Sequence, residues 1–304
     1  MKKLLFIGLA TLLLVAGCTT TTKKITGKIN IYTRDSTSGT REAYEGFIGY
    51  KGKLAATAIE VTSNGDMAAK VGADVNGIGY VSLTTDFAAN NLIALTYEGV
   101  AATIATTLDG TYKLQRPFNL VTRAAGDFGS ADKEQLVMAF VDFLQNSIEG
   151  HEAVKAAGGI VDATKGVAWS TLKTKYPVVS KDNTALTIYT AGSTSVDKTL
   201  KAALEAFQPM AGNFKINMNQ TGSGDGHKRV LGSEKDGANK ADIGFASRTF
   251  SATEDVTKAA KSGTYCIDAV VTVINKKNTN ITNLTKDQTF SIYTGTLANW
   301  EDIK

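Results

Sequence analysis

Two cysteines and two histidines are all that 304 residues hold of the side chains most used for metal binding and nucleophilic catalysis. Cys18 is read below as a lipidated residue, which leaves Cys266 as the one thiol of the mature chain, so neither a disulfide framework nor a cysteine metal site is expected. His151 and His227 stand far apart in sequence and give little support to a zinc cluster or a histidine-dependent triad. A strong charge of one sign is also missing. Loss of Lys2 and Lys3 with the leader takes 33 basic side chains to 31, against 29 acidic ones. No basic block and no stripe of aromatics interleaved with cations is present, so nucleic acid is not an expected partner. The apolar run from Leu4 to Val15 is too short, and wrongly flanked, for a comfortable membrane span.

That run has another reading. It follows Lys2 and Lys3 and leads into Val15-Ala16-Gly17-Cys18, the order of a positive n-region, an apolar h-region and a lipobox. Residues 1–17 are therefore read as a bacterial lipoprotein signal peptide and Cys18 as the lipidated residue. Residues 18–24 become a polar, lipidated tether. The expected location is the cell membrane, by lipid anchor on the extracytoplasmic face, where firm attachment takes several acyl chains or a second signal. The mature length of roughly 290 residues suffices for one large or two medium domains.

Turns rich in glycine and hydroxyl side chains are what the chain does have. Arg34-Asp35-Ser36-Thr37-Ser38-Gly39-Thr40-Arg41 follows the β-prone Ile29, Ile31 and Tyr32 and precedes an amphipathic segment through Ala43, Tyr44, Phe47 and Ile48. Strand, polar turn, helix is the reading, with Ser38 or Thr40 near the N-cap. Such a helix end favours an anion, because free N–H groups and the positive end of the dipole act together. Gly192-Ser193-Thr194-Ser195 repeats the pattern between a β-prone run and the amphipathic Val196–Phe207. Thr221-Gly222-Ser223-Gly224-Asp225-Gly226 repeats it again after Phe214, Ile216 and Met218. One such unit is an ordinary capped helix; three point to one small oxyanion.

The remaining chain alternates strands and helices. Strands are expected at Ile59–Thr62, around Gly77–Ser82, at Arg116–Thr122, around Ala241–Ser247 and at Ala269–Ile274. Helices are expected at Met67–Val71, Lys133–Leu144, Ile148–Ala157 and Thr285–Tyr293. Residues 84–111 read as short strands and turns. Residues 164–184 read as a polar connection between two structural units. The sum is an α/β fold with a mostly parallel sheet.

These motifs carry a resemblance. Ser38-Gly39-Thr40-Arg41 after Arg34, the Thr221-Gly222-Ser223-Gly224 turn, and Ala241-Asp242-Ile243-Gly244-Phe245-Ala246-Ser247-Arg248 resemble the phosphate-binding proteins of bacterial phosphate ABC transporters. Gly77-Ile78-Gly79-Tyr80-Val81-Ser82, and Tyr293-Thr294-Gly295 with Trp300, are similar to further signatures of that family. The resemblance spans nearly all of the mature chain, with its halves in circularly permuted order. The alternative is a partial chain that completes itself by swapping with a neighbour.

The resemblance implies a two-domain, periplasmic-binding-protein-like (type II) α/β fold hinged by two crossover strands. One domain would comprise 24–118 plus 275–304 and carry the Arg34 motif. The other would be 119–274, with 164–184 as the permutation linker. Phosphate ligands implied by the matched motifs are Arg34, Ser38, Gly39 and Thr40 from one domain and Thr194, Ser195, Ser223 and Ser247 from the other. The implied function is capture of inorganic phosphate and its delivery to an ABC permease, by a monomer with no cofactor, no metal and no catalysis. Receptors for sulfate or molybdate, and a surface sensor or adhesin with a vestigial site, are the alternatives. Two positions depart from the family pattern. Arg248 stands where some members carry an aspartate that accepts the proton of hydrogen phosphate, leaving Asp35, Asp225 or a carbonyl for that task. Ser36 stands where an acidic residue often steadies the arginine, a part Asp35 could take. His227 beside Ser223 reads as a solvent-facing residue in the first turn of a helix, not a catalytic base.

Overall fold

A computed structural model describes residues 24–304 of the protein. The leader and Cys18 lie outside the described residues. Its first half runs β1 (Asn30–Arg34), α1 (Gly39–Ile48), β2 (Ile59–Val61), α2 (Asn64–Ala73), β3 (Gly77–Ser82), β4 (Leu92–Ala94), β5 (Thr96–Tyr97) and α3 (Ile104–Leu108). There follow β6 (Gln115–Thr122), α4 (Ala131–Asn146), α5 (Ile148–Ala156), α6 (Trp169–Leu172), β7 (Thr187–Gly192), α7 (Asp197–Phe207) and β8 (Lys215–Gln220). The chain closes with α8 (Ser223–Lys228), β9 (Ile243–Ala246), β10 (Ser262–Asn275), β11 (Asn283–Leu284) and α9 (Lys286–Thr294). Hydroxyl caps start most of the longer helices: Ser38, Ser63, Ser130, Ser147 and Thr285 each accept from a backbone N–H of the first turn. Gly49 and Gly295, both left-handed, end α1 and α9.

One sheet runs through the molecule in the order β2-β1-β3-β10-β6-β9-β7-β8, with β4 also beside β10. Its wings are parallel, β1 with β2 and β3, and β7 with β8 and β9. Its centre is antiparallel: β3 with β10, β10 with β6, β6 with β9. The mostly parallel sheet expected from the sequence is thus corrected to a mixed one. Parallel neighbours need helical crossovers, which β1–β3 and β7–β9 have, whereas β6 and β10 run past each other through the middle.

β10 is 14 residues long, where only Ala269–Ile274 is legible as a buried run. Its first part, Ser262–Ala269, pairs with β6, and its second, Val270–Ile274, with β3. One core gathers Phe118, Phe140, Phe143, Trp169, Phe207, Phe214 and Phe245. Another gathers Ile29, Tyr44, Tyr50, Tyr80, Val270, Ile274, Tyr293 and Trp300. Val271 and Val273, on the opposite face of β10, pack with Met67, Val71 and Val81. The two ends of the described chain are stitched together. Lys28 bridges Asn299, Ile29 N donates to Ala298 O at 2.7 Å, and Trp300 N donates to Gly27 O at 3.0 Å.

Residues 164–184 differ from their polar reading. They form α6 flanked by short 3₁₀ turns, and Trp169, Leu172, Val178 and Val179 are buried in the first core. The apolar residues are there in the sequence, but a segment that changes helix type every turn presents no single period. Trp169 contacts the rings of Phe143 and Phe207 edge-on, at 5.5 and 5.4 Å between centroids. Trp169→Ala is therefore expected to destabilise the protein by about 3–5 kcal/mol in urea unfolding. A loss below about 1 kcal/mol would make this segment a peripheral connection.

Candidate functional site

The turn after β1 is built by its own polar groups. Asp35 accepts from the backbone N–H and the hydroxyl of Thr37, an Asx turn that swings the chain into α1. Ser38 then caps the helix, accepting from Arg41 N at 3.3 Å. The amides of Gly39 and Thr40, at the very start of α1, have no carbonyl within the helix to bind. Gly39 sits so close to the opposite half that a methyl there would overlap Ser223 Oγ and press on Ser247 Oγ.

The opposite wall comes from three strand ends. β7 ends at Gly192, whose φ of +120° and contact with the Phe245 backbone leave no room for a side chain. Ser193 then accepts from Ser195 N at 3.1 Å and opens the short 3₁₀ turn into α7. Ser223 starts α8, and its hydroxyl accepts from Ser247 N, just past β9, at 3.0 Å. Thr40 Oγ1 meets Ser195 Oγ across the junction at 2.8 Å, and on the far wall Ser223 Oγ lies 3.2 Å from Ser247 Oγ. Thr194 Oγ1 is buried beside them with no partner.

Two guanidinium groups stand behind this ring. Arg34, 1% exposed, donates from Nη2 to Thr62 O at 3.0 Å and to Asp35 at 3.3 Å, while its Nε and Nη1 have no partner. Burial pulls its proton affinity below the ordinary guanidinium value, and Asp35 opposes that shift. Arg116, 3% exposed, makes the second. It donates from Nε and Nη2 to Asp268 Oδ2 at 3.1 and 2.9 Å, from Nη2 to Ser195 Oγ at 2.9 Å, and from Nη1 to Ser247 Oγ at 3.2 Å. Burial works against both charges of the Arg116–Asp268 pair, and their mutual contact opposes it.

Each residue expected at the site can now be located. Thr40, Ser195, Ser223 and Ser247 form the hydroxyl ring, Gly39 abuts it, and Ser38 and Thr194 adjoin it in sequence. Arg34 lies at the end of β1 without a hydrogen bond to the ring. Arg248 is at the rim, gripping Glu254 at 2.6 and 2.9 Å and meeting Glu42 of α1 at 2.6 Å. Asp225 is held by Thr221 and Arg229. His227 is in the last turn of α8, not its first, and its ring Nε2 lies 2.9 Å from Asp255 O. Sequence reasoning missed Arg116, Asp268, Ser193 and Asn64. The available signal was a pair of opposite charges, Arg116 and Asp268, each set inside a strand of otherwise interior character.

A groove of about 250 Å³ adjoins the ring at Thr194 and Ser195, walled on the other side by Asn64, Thr84 and Asp86. A larger cavity of about 400 Å³ lies elsewhere, among Arg123, Lys133, Tyr189 and Asp242. Two of its cations are matched within it, Lys133 to Asp242 at 2.8 Å and Arg123 to Asp127 at 2.9 Å, whereas Arg34, held by Asp35 at 3.3 Å, keeps two buried nitrogens without a partner.

Comparison with known proteins fits this geometry. Residues 177–304 match a family described as the PBP superfamily domain. The chain is 28% identical over 306 residues to "Phosphate-binding protein PstS 2" of Streptococcus agalactiae serotype V, spanning 97% of this chain and 95% of the relative. A protein of the same name from Streptococcus pneumoniae serotype 4 is 28% identical over 286 residues, spanning 91% and 88%. The crystal structure of the phosphate-binding protein of a phosphate ABC transporter from S. pneumoniae matches with a TM-score of 0.64 at 26% identity, covering 91% of this chain and 100% of that one. The chain is thus similar to those phosphate-binding proteins and has the two-domain, periplasmic-binding-protein-like α/β fold.

The Arg34 wall rests on a nest of tyrosines. Tyr80 stacks on Tyr44 at 4.3 Å, accepts from Arg34 N at 3.1 Å and lies 2.8 Å from Thr33 Oγ1. Tyr80→Phe leaves a buried amide and hydroxyl without their partner, so a loss of about 1–3 kcal/mol is expected in denaturant unfolding. An unchanged midpoint would show that the phenol does not hold this strand end.

Proposed function

We propose that the protein is an extracytoplasmic solute-binding lipoprotein that captures inorganic phosphate between its two domains and delivers it to an ABC permease. The observation that carries this reading is Arg34: a buried guanidinium with Nε and Nη1 unpaired, beside a ring of hydroxyls drawn from both halves of the chain. Buried donors left unpaired are costly, and a tetrahedral oxyanion supplies the acceptors that Nε and Nη1 lack and adds to the negative charge of Asp35. The similarity to proteins named as phosphate-binding supports phosphate as that anion.

In this reading Arg34, Ser38, Gly39 and Thr40 bind from one domain, and Thr194, Ser195, Ser223 and Ser247 from the other. Binding is domain closure about β6 and β10, and no chemical step is assigned to any residue. The Arg34 domain comprises residues 24–118 and 275–304, joined by the second part of β10, whose Val270 and Ile274 pack in its core. The rest of 119–274 forms the other. The exchanged order of the halves finds support in the paired chain ends, since a permutation requires neighbouring termini. Attachment through Cys18, and a location on the outer face of the membrane, rest on the lipobox residues. Among the described residues no helix is long and apolar enough to cross a membrane.

Titration calorimetry of the mature protein with phosphate, repeated with sulfate as competitor, tests the reading. Saturable phosphate binding is expected, weakened about a hundredfold or more by Arg34→Ala and about tenfold by Thr40→Val. Full phosphate uptake in a strain carrying only Arg34→Ala would contradict it. Equal binding of sulfate would favour a general oxyanion receptor, for which the rim position of Arg248, paired to Glu254 and Glu42, is the supporting observation.

A further inference from the structure

Arg116 adjoins the hydroxyl ring but plays no part in the ligand set above, and the reason it matters is a count of lone pairs. A serine hydroxyl has one proton to give and two lone pairs to receive with. Ser195 Oγ accepts from Arg116 Nη2 at 2.9 Å and from Asn64 Nδ2 at 2.8 Å, which fills both. Its proton can go only to Thr40 Oγ1, 2.8 Å away, or to an anion. Ser247 Oγ accepts from Arg116 Nη1 at 3.2 Å and from Ser193 Oγ at 2.9 Å, so it too is left as a donor, to Ser223 Oγ or to an anion. Ser223 Oγ, already accepting from Ser247 N at 3.0 Å, has its own proton free for the junction.

We infer that Arg116 is a positioning residue for the oxyanion site: it turns the hydroxyls of Ser195 and Ser247 into obligate donors, and so makes the site select the anion form that carries fewest protons. The inference rests on the proposed oxyanion-binding function. Asp268 is the anchor that makes this possible. Its Oδ2 takes Arg116 Nε and Nη2, and its Oδ1 takes the Ser82 hydroxyl at 2.8 Å, which locks the guanidinium plane. The groups that face Arg116 electrically are Asp268 from β10, Arg34 from β1 and Tyr80 from β3. Tyr80, pushed up to about 12 by burial, keeps its proton throughout the neutral range. The transition that matters near neutral pH therefore belongs to the ligand: a phosphate monoanion presents two protons, the dianion one, and the Ser195 and Ser247 hydroxyls have no lone pair left to receive either.

The experiment is calorimetry with inorganic phosphate at about pH 6 and about pH 8, either side of its second ionisation. The unaltered protein is expected to bind more tightly at the higher pH. Arg116→Lys keeps a cation beside Asp268 but cannot serve Asp268 and both serines from one nitrogen in a fixed fork. It is expected to weaken phosphate about tenfold at the higher pH and to erase most of the preference between the two, because the freed hydroxyls can then accept a ligand proton. Weakening by the same factor at both values, with the preference intact, would reduce Arg116 to a structural residue and overturn the inference. If the lysine variant fails to melt cooperatively, the double variant Arg116→Gln with Asp268→Asn removes both buried charges together, and the same loss of preference is required of it. Phosphate binding by the unaltered protein without preference for the higher pH would overturn this inference alone. No binding of phosphate or sulfate would overturn the functional reading as well.

Discussion

A guanidinium buried at the end of a strand is the constraint from which the rest of the site follows. Arg34 has a backbone carbonyl and a neighbouring aspartate for one nitrogen and nothing for the other two. Taking such a group out of water costs several kcal/mol unless charge and hydrogen bonds are returned to it. The fold commits much of its interior to holding Arg34 there. Tyr80 binds its backbone, Tyr44 and Tyr293 pack around Tyr80, and the Asx turn and Ser38 cap fix the chain immediately beyond. In the proposed site an anion on Arg34 would also meet the open start of α1, so that charge and helix end would act on the same ligand.

The second constraint is that the site belongs to neither core alone. Thr40 and Gly39 come from the side packed around Tyr44 and Trp300, whereas Ser195, Ser223 and Ser247 come from the side packed around Phe207 and Phe245. What joins the two sides is β10 with β6, and the buried Arg116–Asp268 pair sits on these two strands. The residue that orients the ring is thereby tied to the strands about which the halves would move. Rim contacts add to this: Arg248, beyond β9, meets Glu42 of α1. A partly exposed pair of that kind contributes little to holding the two sides together.

Much of this was legible in the sequence, for identifiable reasons. Short polar turns between a β-prone run and an amphipathic run stand out in a sequence, and the turns that hold Arg34, Thr40, Ser195 and Ser223 are legible that way, whereas Ser247 enters only through the family resemblance. The antiparallel centre of the sheet was not, because strand direction depends on where a chain returns and leaves no local trace. The length of β10 was hidden by Ser262, Gly263 and Thr264, polar residues that pair with β6 without adding to an apolar run. Residues 164–184 read as a polar connection because lysines dilute the pattern around Trp169 and Val178. Arg116 was read only as the start of a strand, since its partner Asp268 is 152 residues away and no spacing rule reaches that far.

The most direct measurement is a crystal structure grown with phosphate. The account predicts one anion with an oxygen about 2.7–2.9 Å from Arg34 Nε or Nη1 and others on the Gly39–Thr40 amides and the hydroxyls of Ser195, Ser223 and Ser247. Phosphate seated elsewhere, for instance between Arg123 and Lys133, with Arg34 still unpaired, would contradict it.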